Sequence, residues 1–296
     1  MRIDSHQHFW DPARKDYGWI DSLEGEAARR LRRQILPPEL APQLARERID
    51  RTVLVQAAPS EAEAEYLLSL AAEYDFIAGV VAWLDMEASD FGARLERLQR
   101  RSKFVGVRPM IHDLAHPEWM LRPSVRRSFA VLQERGVCFD FLVRPPHLAP
   151  MLRILGEFPE LRAVLDHIGK PNIAARQIEP WGSEFAAIAR HPNVFCKLSG
   201  MLTEADHERW APADLEPYVR LAIECFTPRR CMFGSDWPVC TLAGSYGQVI
   251  AALEQSLGPL GLDEAARERI FGGTAAEFYR LFSREPGAAS ALVGRT

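Results

Sequence analysis

The chain has 296 residues, of which 47% are hydrophobic, so it can build a large core and is not disordered over most of its length. Its 36 lysines and arginines nearly balance its 40 aspartates and glutamates. The resulting net charge of −4 gives no electrostatic reason to expect nucleic acid or an anionic membrane as a partner. This length suits either two domains of common size or one α/β barrel.

The sequence shows neither a signal peptide near Met1 nor a run of about 18 apolar residues that would span a membrane. Its five cysteines form no C-x-x-C pair, so neither a disulfide framework nor a cysteine zinc site is indicated. These features together predict a cytoplasmic protein. The oligomeric state is left open by the sequence.

Eight short apolar runs rich in β-branched residues alternate with segments of helical periodicity. Runs such as Val53-Leu54-Val55 are apolar throughout, as is typical of strands buried on both faces of a parallel sheet. The predicted strands are residues 2–8, 52–56, 77–84, 104–109, 137–143, 163–167, 194–198 and 231–235. The predicted helices between and after them are residues 61–74, 91–99, 124–134, 148–157, 181–190, 214–226 and 246–257.

The predicted strands begin about 33 residues apart on average, close to the length of a βαβ unit of about 30 residues. Eight such units predict one α/β domain, a closed (β/α)8 barrel over residues 1–296. No G-x-G-x-x-G follows the first strand to favour a dinucleotide-binding fold. The first connection, residues 9–51, is longer than the others and is expected to form a covering or functional loop. Residues 284–296 are expected to be a flexible tail.

Titratable side chains follow three predicted strands, at the end where barrels of this kind gather their reactive groups. His6 and His8 are two residues apart on the first strand, so their rings face the same side. His167 ends the sixth strand, and Asp236 follows the eighth. Each has a structural alternative: polar strand residues, a hydrogen-bonded histidine, and a helix N-cap for Asp236. As a set, they predict a site that binds one metal ion or acts on a substrate.

The motifs around these residues resemble those of the amidohydrolase superfamily, whose members typically carry H-x-H after the first strand and an aspartate after the eighth. More narrowly, the sequence resembles the amidohydrolase-2 branch and its group of sugar-lactone hydrolases, which includes L-fuconolactonases and L-rhamnonolactonases. The resemblance covers essentially the whole chain. The matching stretches begin at Ile3 (IDSHQHFWD), Asp16 (DYGW), Val53 (VLVQAAPS), Val105 (VGVRPM), Asp166 (DH, with KP at Lys170), Cys196 (CKLSG), Gly234 (GSDWPV) and Ile270 (IFGGTAA).

One departure from the wider superfamily concerns the metal. Binuclear members typically carry a carboxylated lysine on the fourth strand and a histidine on the fifth. Here the fourth strand ends with Arg108 and the fifth contains no histidine, so a binuclear centre is not expected. The resemblance implies at most one divalent ion, with zinc as the first choice, while metal-independent action of the same residues stays open. The candidate ligands are His6, His8, His167 and Asp236.

The resemblance implies a hydrolase that opens a small sugar lactone to the aldonic acid by attack of water on the lactone carbonyl. Asp236 is the expected general base, and Arg108 offers a fixed fork of donors to the oxyanion, with a salt bridge as its structural alternative. The other expected catalytic residues are His6, His8 and His167. The expected substrate contacts are Trp10, Tyr17, Trp19, Lys170, Lys197, Ser199 and Trp237, with aromatic rings against sugar C–H faces and polar groups at hydroxyls.

Two alternatives to a lactonase stay open. The same superfamily contains metal-dependent decarboxylases and amide hydrolases, which would use a similar set of residues. A carbohydrate-binding barrel without catalysis would bind a sugar and show no turnover. The remaining histidines are expected to be surface or loop residues: His112, His116, His147, His191 and His207.

Overall fold

A computed structural model of the protein describes residues 1–282. Eight parallel strands are hydrogen-bonded to one another in chain order. They are β1 Ile3–Gln7, β2 Arg51–Val55, β3 Ile77–Ala82, β4 Phe104–Val107, β5 Cys138–Phe141, β6 Ala163–Leu165, β7 Val194–Leu198 and β8 Cys231–Phe233. Near β1, the backbone N–H of His8 donates to the carbonyl of Trp237, and that of Asp236 donates to the carbonyl of His6, both at 2.8 Å. These bonds close the seam, and the predicted (β/α)8 barrel is confirmed.

Helices lie between the strands and around the barrel. They are α1 Gly18–Asp21, α2 Gly25–Leu31, α3 Pro37–Glu47, α4 Glu61–Glu73, α5 Phe91–Gln99, α6 Pro123–Glu134, α7 Leu148–Glu157, α8 Trp181–Ala189, α9 Met201–Glu204, α10 Pro212–Arg230, α11 Tyr246–Leu257, α12 Glu264–Glu268 and α13 Thr274–Tyr279. The long first connection, expected to be a covering or functional loop, contains the helices α1 to α3.

Local sequence explains where these helices begin and which face they bury. In α4, the hydroxyl of Ser60 accepts a hydrogen bond from the backbone N–H of Glu63 at 3.2 Å, which makes Ser60 the N-cap. Ala64, Leu67 and Ala71 recur at helical spacing and are fully buried against the barrel. The apolar stripe of the helix therefore determines how it docks.

The last helix of the described residues, α13, closes one end of the barrel. Phe278 and Tyr279 of α13 belong to the same buried cluster as Val53, Val164 and Met232 on the strands. The carbonyl of Phe278 also accepts a hydrogen bond from the side chain of Arg162, just before β6, at 2.7 Å. Because α13 covers the end at which the strands begin, the polar side chains lie at the opposite end, where the strands finish.

The predicted strands all exist, and most differ from the observed ones only at their ends. The sixth and eighth strands stop at Leu165 and Phe233, so His167 and Asp236 lie in the turns that follow them. The tail expected over residues 284–296 lies outside the described residues. Within residues 1–282, no helix is both long enough and apolar enough to cross a lipid bilayer.

Candidate active site

The four residues predicted as a set meet at the carboxyl ends of β1, β6 and β8. Oδ1 of Asp236 lies 3.3 Å from Nε2 of His8, 3.7 Å from Nε2 of His6 and 3.9 Å from Nε2 of His167. All four residues are at most 4% exposed. One carboxylate oxygen therefore faces three imidazole nitrogens in a site that is largely screened from solvent.

Hydrogen bonds at Nδ1 fix the orientation of two of the imidazoles, those of His8 and His167. Nδ1 of His8 lies 2.7 Å from the carbonyl oxygen of Val55. Because a carbonyl can only accept, Nδ1 carries a proton, and Nε2 is directed toward Asp236. Nδ1 of His167 lies 2.8 Å from the hydroxyl of Ser199. Ser199, predicted as a substrate contact, thus holds the ring of His167.

The backbone around His167 adopts a rare conformation. From His167 to Lys170, four consecutive residues have positive φ angles of 53°, 48°, 74° and 52°. Three of the four carry a side chain, and each such residue in the left-handed region costs about 1–2 kcal/mol. The indole N–H of Trp181 donates to the carbonyl of Ile168 at 2.8 Å and helps to hold this turn. The turn brings His167 to face Asp236, which itself has a φ of 58°.

A buried network of charges lies beneath the imidazoles. Nζ of Lys197 is 2.6 Å from Oδ2 of Asp140, 3.0 Å from Oδ1 of Asp166 and 3.2 Å from Nδ1 of His6. Nη1 of Arg108 is 3.1 Å from Oδ2 of Asp166 and 3.2 Å from Nε2 of His6. Lys197, Arg108 and Asp166 therefore contact the His6 ring, Asp140 lies behind Lys197, and all four are almost completely buried.

These contacts alter the predicted role of Lys197. Its ammonium is fully buried among carboxylates of the protein, so the structure places it behind His6 and not against a sugar hydroxyl. Arg108, predicted at the oxyanion, does lie beside His6. Arg108 also forms a salt bridge with Asp166, which is the structural alternative that the sequence offered for it. The β4 and β5 strands contribute neither a lysine nor a histidine, as the sequence indicated.

Burial controls the protonation of the site. Burial alone would raise the pKa of Asp236, but the nearby imidazoles of His167, His8 and His6 outweigh it and lower the pKa of this carboxyl. Burial lowers the pKa of His167 to about 3 and that of His6 well below its usual value. At neutral pH the site therefore combines an ionised carboxylate with neutral imidazoles at His6 and His167.

The donor atoms suit one divalent cation. Ligand atoms of His6, His167 and Asp236 all lie within 4.8 Å of one another. The inward Nε2 of His8, with its other nitrogen bonded to a backbone carbonyl, has the arrangement usual for a metal-binding histidine. Three imidazoles and a carboxylate are a donor set that zinc accepts. The residues present therefore fit a single metal ion.

The aromatic residues predicted to contact substrate lie in two places. Three are in the first connection, and Trp237 follows β8. The Trp10 ring is 6.4 Å from the His8 ring and 5.4 Å from the Trp19 ring, measured between centroids. Tyr17 is buried 6.5 Å from Trp10, and Trp19 is only partly buried. Trp237 is 1% exposed and packs on Phe9, so it supports the seam. Lys170 is paired with Glu204 at 2.5 Å.

Sequence reasoning missed the residue that supports the base of β1. Asp4 is fully buried, and its carboxylate accepts hydrogen bonds from the hydroxyl of Ser235 at 2.6 Å and that of Tyr246 at 3.1 Å. Asp4 therefore links β1 to the segment that carries Asp236. An acidic residue near the start of a strand that the barrel buries, two positions before His6, was the signal that could have revealed it.

Comparison with known proteins agrees with this geometry. The amidohydrolase family profile matches residues 3–281. The chain is 41% identical to the L-fucono-1,5-lactonase of Burkholderia ambifaria, covering 95% of this chain and 96% of that protein. It is 36% identical to the L-fucono-1,5-lactonase of Burkholderia multivorans, with the same shares covered.

A solved structure has the same fold as this chain. An amidohydrolase from Burkholderia multivorans with bound zinc superposes with a TM-score of 0.88 at 35% identity, covering 95% of this chain and 99% of that one. The profile match over nearly the whole chain and these relatives establish the family. This chain belongs to the amidohydrolase family.

Proposed function

We propose that this protein hydrolyses a sugar lactone to the aldonic acid, with L-fucono-1,5-lactone as the first candidate substrate. The observation that carries the proposal is the contact of one ionised carboxylate, Asp236, with three imidazoles at the carboxyl end of the barrel. The 41% identity to an L-fucono-1,5-lactonase over 95% of the chain supports this substrate class.

Asp236 acts as the general base in this proposal. It is ionised at neutral pH and accepts a proton from the attacking water as the water oxygen bonds to the lactone carbonyl carbon. Because the pKa of Asp236 lies below its usual value, the acquired proton is readily passed on. The ring C–O bond then breaks, and the proton goes to the departing ring oxygen, which gives the open-chain hydroxy acid.

Arg108, beside His6, stabilises the negative charge that develops on the carbonyl oxygen. Nη1 of Arg108 is held 3.2 Å from Nε2 of His6 and 3.1 Å from Asp166, so the guanidinium is fixed before the substrate arrives. A fixed donor at an oxyanion contributes about 10²- to 10³-fold to the rate. Lys197 and Asp166 hold the His6 ring from below.

A divalent ion, with zinc as the first choice, would be held by His6, His8, His167 and Asp236. When bound, it would polarise the lactone carbonyl and lower the pKa of a bound water. Without it, the guanidinium of Arg108 supplies positive charge near the same oxygen. Whether a metal is needed is settled by activity before and after chelation, together with metal analysis of the purified protein.

The substrate is a small, mostly neutral sugar derivative. Trp10 is fully buried between His8 and Trp19, and the partly buried Trp19 ring is the one that offers surface to sugar C–H faces in this proposal. Lys170, on the left-handed turn after β6 and paired with Glu204, contacts ring hydroxyls in this proposal. The binding of one lactone at the mouth of the barrel therefore uses the first connection and the turn after β6.

The experiment is an acid-release assay of the purified protein against a panel of aldonolactones. The account predicts hydrolysis well above the spontaneous rate, with L-fucono-1,5-lactone among the best substrates. Spontaneous rates for every lactone would refute the proposal. Carbon dioxide release from an aromatic acid would support a decarboxylase in its place, and sugar binding without turnover would support a carbohydrate-binding barrel.

A further inference from the structure

The side chain of Gln56 connects the end of β2 to Arg108 at the end of β4. Gln56 follows β2 directly and is fully buried. Its carboxamide Nε2 donates a hydrogen bond to the backbone carbonyl of Arg108 at 2.8 Å, and its Oε1 accepts one from Nη2 of the same arginine at 3.3 Å. The backbone carbonyl of Gln56 accepts a further hydrogen bond from Nη2 at 2.5 Å. One glutamine therefore holds both the main chain and the guanidinium of Arg108.

These contacts fix the orientation of the guanidinium. Nη2 carries two N–H groups and has two acceptors, both of them oxygens of Gln56. Nη1 donates to Oδ2 of Asp166 at 3.1 Å and lies 3.2 Å from Nε2 of His6. Because the guanidinium is planar and rigid, contacts at both terminal nitrogens determine its orientation, and Nη1 is kept beside His6.

The segment that carries Gln56 is itself fixed by hydrogen bonds. The two backbone N–H groups that follow it in the chain donate to the buried carboxylate of Glu63 at 2.9 and 3.0 Å. The backbone N–H of Gln56 donates to the carbonyl of Val81 on β3 at 2.9 Å. The end of β2 is therefore a fixed support, from which Gln56 holds the guanidinium of Arg108.

We propose that Gln56 is a positioning residue of the reaction, which aligns the guanidinium of Arg108 with the oxyanion that forms on the lactone carbonyl. This inference rests on the proposed lactonase function. A carboxamide suits this place because one end has to donate to a carbonyl while the other has to accept from a guanidinium. Glutamate would lack the donor, and methionine, which has a similar length, would lack the donor and offer only a weak acceptor.

The test compares kcat and KM of wild type and Gln56→Met on the lactone of the panel that wild type hydrolyses best. A complete oxyanion donor contributes about 10²- to 10³-fold to kcat. We expect Gln56→Met to lose about tenfold, because Asp166 and the backbone carbonyl of residue 56 still hold the guanidinium. KM should stay within about twofold of wild type, since the lost stabilisation develops only in the transition state.

A double-mutant cycle tests whether Gln56 acts through Arg108. In an Arg108→Met background the guanidinium is gone, so adding Gln56→Met should change kcat by less than about twofold. If Arg108→Met does not fold, Arg108→Lys supplies the background, because lysine keeps the charge and lacks the planar fork. An equal loss of kcat in both backgrounds would overturn the inference, since Gln56 would then act on another group.

Thr274→Val is the matched control for the loss of a buried hydrogen bond. Thr274 is buried at the start of α13, which closes the opposite end of the barrel, and its hydroxyl donates to the backbone carbonyl of Pro228 at 3.1 Å. Valine keeps the shape of this side chain and removes the donor. The variant should lose a Tm similar to that lost by Gln56→Met and keep the wild-type kcat and KM. An equal fall in kcat for both variants would overturn the positioning role.

The outcomes separate this inference from the proposed function. If wild type hydrolyses lactones and folded Gln56→Met keeps the wild-type kcat, the positioning role is refuted while the lactonase stands. If wild type hydrolyses no lactone, the lactonase is refuted, and crystal structures of wild type and Gln56→Met decide whether Gln56 fixes Arg108. A displaced guanidinium, or one in several conformers, would support the inference, and an unchanged guanidinium would overturn it.

Discussion

Replacement of Gly200 by alanine tests how tightly the His167 ring is positioned. Gly200 follows β7 with a φ of +62°, and a Cβ atom there would lie 2.6 Å from Nδ1 of His167 and 2.7 Å from its Cγ. Ordinary contacts of this kind are about 3.4 Å or longer, so the ring would have to move by roughly 0.8 Å. That movement would also disturb the hydrogen bond between Nδ1 and the hydroxyl of Ser199.

The expected effect on activity is much larger than the effect on stability. A displacement of about 1 Å in a catalytic group reduces the rate by about 10²-fold. The positive φ costs an alanine about 1 kcal/mol, which lowers the Tm of a chain of this size by a few degrees. We therefore expect Gly200→Ala to lose about 10²-fold in kcat/KM and to remain folded.

Gly261→Ala is the matched control. Gly261 has a φ of +63°, and a Cβ atom there would meet nothing within 4 Å. This variant bears the same backbone cost without touching the site, so it should keep wild-type kcat/KM and lose a similar few degrees of Tm. Lactone hydrolysis and thermal unfolding are measured for both. The reasoning is refuted if folded Gly200→Ala has the kcat/KM of Gly261→Ala.

Two further predictions concern buried groups around the site. Burial raises the pKa of Glu63 to about 8. The folded chain thus binds more protons than the unfolded chain between about pH 4.5 and 8, and stability falls as the pH rises, by up to about 5 kcal/mol. Glu63→Gln removes this titration. In denaturant unfolding, the free energy of unfolding of the variant relative to wild type should therefore rise by several kcal/mol from pH 5 to pH 9. A difference that stays constant over this pH range would contradict the prediction. Trp181→Phe leaves the Ile168 carbonyl unpaired. We expect this variant to lose about 1–3 kcal/mol in its free energy of unfolding and about tenfold in kcat/KM. A loss of stability with unchanged kcat/KM would mean that Trp181 does not position His167.

The barrel and the four central residues could be predicted because their signals are local. Apolar runs such as Val53-Leu54-Val55 identify strands directly. His6 and His8 share a face by their spacing, and the closed topology brings the turn of Asp236 to the first strand. These inferences need only the order of the strands and the alternation of side chains along them.

The residues that hold the site could not be assigned in the same way. The contacts of Lys197 with Asp140 and Asp166 join strands that are far apart in sequence, and no local pattern distinguishes an inward lysine that is paired from one that meets substrate. The left-handed turn after β6 is also invisible locally, because Ile168 disfavours that conformation. Tertiary contacts impose it.

The most direct test of the central claim is the rate of acid release from L-fucono-1,5-lactone by wild type and by Asp236→Asn at equal concentrations of folded protein. Asparagine keeps the size of the side chain but cannot act as a general base at neutral pH. The account predicts rapid hydrolysis by wild type and a loss of about 10²-fold or more in kcat for the variant. A folded Asp236→Asn that hydrolyses the lactone at the wild-type rate would contradict the account.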